Sequence, residues 1–164
     1  MTLNIEMEYE SLLSFDYQEI AKSVAEEALD FEGCPYEAEI NLVLTGEEEI
    51  QRTNREFRKM DKVTDVLSFP MVEYERPGDF SLVEEDPSCF HPDTGELMLG
   101  DIMICIPRMQ EQAVSNGQGE VREFAFLIAH SMLHLMGYDH MTPEEAAVME
   151  SKQSEILEHL GITR

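Results

Sequence analysis

Apolar residues recur along this chain with two spacings, one typical of strands and one typical of helices. Every second residue is apolar from Ala38 to Leu44, which predicts a strand with one buried side. In residues 16–29 the apolar positions recur every three to four residues, which predicts an amphipathic helix. Extended along the chain, these patterns predict strands over residues 2–8, 36–45, 65–72 and 97–106, and helices over residues 16–29, 46–58, 107–115, 119–136 and from 142 onward.

The predicted helix over residues 119–136 differs from the others because it has no polar face. Its segment Phe124–Ala129 is apolar on all sides, so this helix is expected to be buried. The helix that follows begins with Thr142, Pro143 and Glu145, a threonine cap, an N1 proline and a capping-box glutamate. The helix over residues 119–136 is the best candidate for the centre of the molecule, because it has no polar face to turn toward water.

The order of these elements predicts a single α+β domain over residues 1–164. Strands and helices alternate at first and helices dominate later, which favours a mixed sheet of about four strands packed by about five helices. Residues 73–97 are polar and contain several prolines and glycines. They predict a long loop, either a lid or a hairpin.

The charge balance limits which partners can be expected. Thirty-five acidic residues face eleven lysines and arginines, which gives a net charge of −24. Such a chain repels nucleic acid and anionic membranes at long range, although the same charge permits docking to a basic protein. The three cysteines lack Cys-x-x-Cys spacing, and no signal-peptide core or membrane-length apolar run is visible. A cytoplasmic protein without a membrane segment is expected.

Three of the five histidines lie within eleven residues near the end of the chain. His130 and His134 are one helical turn apart and should project from one face of the buried helix. Gly137 can end the helix in a left-handed conformation and let the chain bring His140 back to the same point. Three imidazoles suit Zn²⁺ and leave a fourth position open, as in catalytic zinc sites. The spacing predicts one zinc ion per chain.

This histidine spacing equals that of the metzincin proteases. In those enzymes the residue after the first histidine is the glutamate that serves as general base, whereas this chain has Ser131 there. A serine hydroxyl is not a base near neutral pH, so peptide hydrolysis by that mechanism is disfavoured. The pattern predicts a metzincin-like metal motif without the protease chemistry.

Five of the eleven lysines and arginines lie between residues 52 and 62. Four of them would form one stripe if the helix continued through this segment, with Arg58 beside it: Arg52, Arg55, Lys59 and Lys62. The stripe is either an ordinary solvated face balanced by glutamates or an anion site that holds phosphate. Thr64 and Asp65 follow at the start of a strand, where they form either a simple turn or the base of a cleft.

Taken together, three segments resemble the YbeY family of bacterial rRNA maturation factors. They are Asn54-x-x-Phe57-Arg58 leading to Thr64-Asp65-Val66-Leu67-Ser68-Phe69-Pro70, then Leu99-Gly100-Asp101-Ile102, and finally His130-x-x-x-His134-Leu135-x-Gly137-Tyr138-Asp139-His140. The chain departs from the family in having Ser131 where glycine is usual, and its acidic insert over residues 73–97 is longer than the family minimum.

The resemblance implies a zinc ion on His130, His134 and His140 and a catalytic role for Arg58. It implies a single-strand-specific endoribonuclease that matures the 3′ end of small-subunit rRNA and takes part in ribosome assembly and quality control. The implied partners are rRNA, ribosomal particles and a basic small-subunit ribosomal protein, with no organic cofactor. Whether water or the neighbouring 2′-hydroxyl attacks the phosphodiester stays open.

Two other functions fit the same residues. One is a non-enzymatic ribosome assembly factor in which zinc is structural, which the net charge of −24 favours. The other is a metal-dependent hydrolase of a different substrate, such as a peptide, with a base supplied from elsewhere in the chain.

Overall fold

The computed structural model describes residues 1–10 and 13–162, so residues 11, 12, 163 and 164 of the predicted single domain lie outside the described residues. The strands are β1 (Thr2–Met7), β2 (Ala38–Thr45), β3 (Val66–Pro70) and β4 (Leu97–Cys105). The helices are α1 (Tyr17–Phe31), α2 (Glu47–Arg58), α3 (Ile106–Ser115), α4 (Glu120–Leu135) and α5 (Pro143–His159). The prediction of an α+β fold with about four strands and five helices is confirmed.

The four strands form one mixed sheet in the order β1-β2-β4-β3. β1 and β2 are parallel, as are β2 and β4, whereas β3 runs antiparallel to β4 at the edge. Gly100 in β4 has φ +150°, and a β-carbon there would collide with the carbonyl oxygen of Phe69 and lie 2.8 Å from Cδ2 of Leu135. Glycine at this position therefore lets the end of α4 approach β3 and β4 closely.

Helix α4 is the centre of the core, as its apolar sequence predicts. Phe124, Ala125 and Ala129 are fully buried, and the helix packs against α1, α3, α5 and the sheet. α4 is covered along most of its length, and near its C-terminal end His130 and His134 are partly exposed. In the described residues, no helix combines the length and the apolar character needed to cross a membrane.

The insert over residues 73–97 packs onto this core and is not a lid. It contains two short 3₁₀ turns, and Phe80 and Val83 bury their side chains in the main hydrophobic cluster. The backbone N–H of Gly78 donates to the carbonyl oxygen of Met136 at 2.9 Å, so the insert braces the end of α4. Only the bridge between Phe90 and Leu97 is hairpin-like. None of its described residues lines the metal cleft.

α2 ends at Arg58, as the sequence predicts, so the stripe of cations that a longer helix would carry does not form. Lys59 takes a left-handed conformation with φ 59°, and Lys62 lies in the turn beyond the helix. Arg52 pairs with Glu49, and Arg55 lies 3.5 Å from an oxygen of Asp61. The acidic residues Glu49 and Asp61 thus partly neutralise the charges of Arg52 and Arg55.

Candidate metal centre

The C-terminal turn of α4 and the loop that follows bring the three predicted metal ligands together. His130 and His134 project from the same side of α4, with their Nε2 atoms 3.0 Å apart. Gly137 follows the helix with φ +99°, and the chain then returns so that the ring of His140 lies 5.0 Å from that of His134, centroid to centroid. The i, i+4, i+10 pattern therefore produces the cluster that it predicts.

The geometry of this cluster fits a single small cation. One ring nitrogen from each histidine can be chosen so that all three lie within 4.8 Å of one another. Zinc binds imidazole nitrogen at about 2.0–2.1 Å, so one ion can reach all three with small side-chain adjustments. All three donors are neutral nitrogen ligands, which suit zinc and other late transition metals better than magnesium or calcium. These residues can hold a metal ion.

The backbone of the loop after α4 fixes the orientation of His134. Nδ1 of His134 lies 2.9 Å from the carbonyl oxygen of Tyr138. A carbonyl oxygen can only accept, so Nδ1 of His134 is the donor. The proton is therefore on Nδ1 and the lone pair on Nε2 points into the cluster. Tyr138 thus orients His134 through its backbone carbonyl rather than through its ring. Asp139 accepts the backbone N–H of His140 at 2.8 Å and shapes the turn.

A partly buried ion pair between Glu32 and Lys152 holds Tyr138 in place. Its hydroxyl donates to Glu32 at the end of α1, and Nζ of Lys152 on α5 donates to the other Glu32 oxygen at 2.9 Å. Nζ of Lys152 also lies 5.0 Å from the centre of the Tyr138 ring. Two separate elements, α1 and α5, thus anchor the loop that carries His140 and the carbonyl acceptor of His134.

The electrostatics of the cluster keep its imidazoles ready to bind a metal. Burial lowers the pKa of His130 from 6.5 to about 4, and the neighbouring His134 and His140 add to this effect. Burial also lowers the pKa of His134 below its ordinary value of 6.5. Both rings are therefore neutral at pH 7, with a lone pair available for a metal.

The three histidines open onto a cleft of about 500 Å³. The cleft is also lined by β3, through Val66, Ser68 and Pro70, and by the segment that joins α2 to β3. Among the described residues that line it, Arg58 is the one lysine or arginine. The metal cluster and a guanidinium therefore face the same solvent-accessible space.

The two interpretations of Thr64 and Asp65 both hold. Oδ1 of Asp65 accepts the backbone N–H of Val66 at 2.9 Å, as in a local turn, and both residues line the cleft. The buried Asn54 shapes the preceding turn by donating from its side chain to the carbonyl oxygen of Lys62 at 3.0 Å. This contact fixes the chain on both sides of Arg58 and sets where α2 ends.

Ser131 lies outside the cleft. Its side chain is fully buried, and its hydroxyl has no hydrogen-bond partner among the described residues. The position that supplies the general base in metzincins is therefore unavailable for proton transfer to a bound substrate here.

Two buried polar residues behind the histidines were missed by the sequence analysis. Gln153 on α5 is 2% exposed and contacts His130, and the Glu32 side chain anchors Tyr138. Gln153 falls four residues after Met149 and three before Ile156, on the apolar face of α5. A polar residue inside an apolar stripe was the available signal. Glu32 had no such signal in the sequence, because a glutamate just after a helix is common in a chain with 35 acidic residues.

Gly137→Ala is expected to lower both the melting temperature and the zinc affinity. The positive φ is strained for alanine by about 1–3 kcal/mol, and a β-carbon would lie 2.9 Å from Cδ2 of Tyr74. Gly117→Ala is the matched control, because Gly117 also has a positive φ but nothing lies within 4 Å of its β-carbon position. Calorimetry and zinc titration of both variants test this. Equal effects of the two substitutions on zinc affinity would show that the turn at Gly137 does not place His140.

The chain is similar to known proteins over nearly its whole length. A family model described as Endoribonuclease YbeY matches residues 3–161. Relatives with that name include proteins of Lachnospira eligens and Agathobacter rectalis, 55% and 57% identical over 100% of both chains. The solution structure of TM1509 from Thermotoga maritima has a TM-score of 0.55 at 21% identity, covering 97% of this chain and 91% of that one. At this identity, the last likeness concerns the fold alone.

Proposed function

The chain belongs to the YbeY family of endoribonucleases, and on this premise we propose that it is a zinc-dependent enzyme that cuts single-stranded RNA. Its substrate is the precursor of small-subunit rRNA, which it matures at the 3′ end during ribosome assembly and quality control. One observation carries the proposal: a three-histidine cluster and an arginine line the same open cleft.

The cleft supplies the groups that phosphodiester cleavage requires. His130, His134 and His140 would hold the zinc ion, which when bound supplies a Lewis acid for the phosphoryl group and lowers the pKa of a nearby water to about 7. Arg58 binds nonbridging phosphate oxygens through its planar fork and stabilises the charge that develops on them. Both groups face one accessible space, so they can act on one phosphate.

The charge of the chain suggests how RNA reaches the cleft. A net charge of −24 opposes binding of free RNA at long range, and Asp65 and Asp139 lie in the cleft wall. The substrate is therefore delivered as part of a ribosomal particle, with the acidic surface docking to a basic small-subunit ribosomal protein. This places the protein in the cytoplasm, where its three free thiols stay reduced.

The same charge favours a second candidate, an assembly factor that binds ribosomal particles without cutting RNA and uses zinc as a structural support. The open cleft beside the histidines argues for the enzyme, because structural zinc sites are closed by a fourth protein ligand. Peptide hydrolysis is less well supported, because Ser131 is buried away from the cleft.

The deciding experiment is cleavage of a small-subunit precursor with a single-stranded 3′ extension by purified zinc-loaded protein. A matched substrate has the extension covered by a complementary strand, and a peptide serves as the unrelated substrate. We expect cleavage of the single-stranded precursor only, and its loss in His134→Ala. Binding to ribosomal particles without cleavage of any substrate would favour the assembly factor, and cleavage of the peptide alone would favour a peptidase.

A further inference from the structure

The side chain of Gln153 lies directly behind the metal cluster, on the far side of His130 from the cleft. It is 2% exposed, and its amide group faces Nδ1 of His130 at 2.6 Å. Gln153 belongs to α5, outside every segment that carries the histidine motif. The contact joins a ligand on the central helix to a helix that lines none of the cleft.

Only one of the two polar atoms in the side-chain amide of Gln153 has a hydrogen-bond partner among the described residues. Its nitrogen is the atom next to His130 Nδ1, while its oxygen is buried and has no hydrogen-bond partner among the described residues. A buried amide oxygen without a partner destabilises the folded state, because it loses its hydrogen bonds to water. Since Gln153 sits on an otherwise apolar face of α5, leucine or methionine would avoid this cost. Packing alone therefore does not explain why a glutamine occupies this position.

The ligand chemistry of His130 supplies the reason. Its Nε2 faces Nε2 of His134 at 3.0 Å, so Nε2 is the nitrogen directed into the cluster. An imidazole that binds a metal through Nε2 carries its proton on Nδ1, and this N–H needs an acceptor. The oxygen of Gln153 reaches Nδ1 when the amide group turns by about 180°. The same side chain donates to Nδ1 when the proton is on Nε2.

We propose that Gln153 is the positioning residue of His130, accepting a hydrogen bond from Nδ1–H whenever Nε2 binds the metal. This inference rests on the proposed zinc centre and extends it to α5. His134 has a fixed acceptor in the carbonyl oxygen of Tyr138, whereas His130 has an amide that serves either tautomer. In its accepting orientation, Gln153 thereby stabilises the metal-binding tautomer of His130 without lining the cleft.

The test compares the zinc affinity of Gln153→Leu and Gln153→Glu with that of the wild type, by competition with a chromophoric chelator. Leucine keeps the volume but cannot accept, so zinc should bind about 10–100-fold more weakly. Glutamate accepts through a carboxylate oxygen, so affinity should return to at least the wild-type value. Ile156→Ala is the packing control, because Ile156 is fully buried on the same face of α5. It should lower the melting temperature and leave zinc affinity nearly unchanged.

A measurement on the unaltered protein keeps the proposal testable if Gln153→Leu does not fold. In the zinc-loaded wild type, long-range ¹H–¹⁵N spectra should show His130 protonated at Nδ1 and a shift of the Gln153 side-chain amide on zinc binding. Wild-type zinc affinity in Gln153→Leu, an equal loss in Gln153→Glu, or an unshifted Gln153 amide would each overturn the proposal. Zinc affinity is measured without RNA, so failure of RNA cleavage alone would overturn the proposed function and leave this role intact.

Discussion

His134→Ala is expected to lose bound zinc and RNA cleavage together. The ring of His134 is held at both nitrogens, since the Tyr138 carbonyl oxygen accepts from its Nδ1–H at 2.9 Å and its Nε2 faces that of His130. Removing a hydrogen-bond partner of a ligand costs about 10–100-fold in metal affinity, and removing the ligand itself should cost more. Elemental analysis after purification without chelator, followed by zinc titration, measures the loss.

The matched control for this prediction is His91→Ala. His91 is in the insert, outside the metal cluster, where its Nδ1 accepts the backbone N–H of Asp93 at 3.0 Å. This variant should keep one zinc per chain and cleave RNA at the wild-type rate. A His134→Ala protein that is folded and retains full zinc content would disprove the assignment of His134 as a ligand.

Arg58→Ala is expected to reduce the rate of RNA cleavage by about 10²–10³-fold, the effect of removing one preorganised donor from a developing oxyanion. The reason is its position, since Arg58 alone among the described lining residues brings a lysine or arginine side chain into the cleft. Arg58→Lys keeps the charge and loses the planar fork, so its rate should fall between those of the wild type and the alanine variant. Zinc content should stay unchanged in both.

The controls for Arg58 come from the same segment. Arg55 lies one turn earlier on α2 and pairs with Asp61, and Lys62 lies in the turn beyond the helix. Arg55→Ala and Lys62→Ala should change kcat/KM only modestly, with an effect that weakens at higher salt. Turnover of all four variants at several salt concentrations tests this. If Lys62→Ala is the most impaired, or if Arg58→Ala cleaves normally, Arg58 belongs to a solvated helix face.

Local patterns predicted most of the secondary structure because each element carries its own signal. The alternation in β2 and the Thr142 cap of α5 each need only a few consecutive residues, and both were predicted to within two residues. The stripe on α2 does not form, because it required the helix to continue to Lys62. The helix ends at Arg58, as predicted, and the side chain of Asn54 donates to the carbonyl oxygen of Lys62 in the turn that follows.

The insert over residues 73–97 shows the limit of composition as a guide. Its prolines and acidic residues predicted a loop, yet Phe80 and Val83 are buried in the main core. Two apolar residues in a polar segment carry no periodic signal. They are buried because the loop packs against the end of α4. The position of the loop depends in turn on the packing of the whole domain.

The sequence by itself determined the three-histidine cluster, because helical geometry and one reversing glycine bring His130, His134 and His140 together within a single segment. It also determined the buried helix that carries them, since Phe124–Ala129 has no polar face. Only the tertiary structure placed Arg58 in the lining of the same cleft and Gln153 against Nδ1 of His130, 72 and 23 residues away from His130 in sequence. Such contacts depend on how separate elements pack against one another, and short-range spacing carries no information about them.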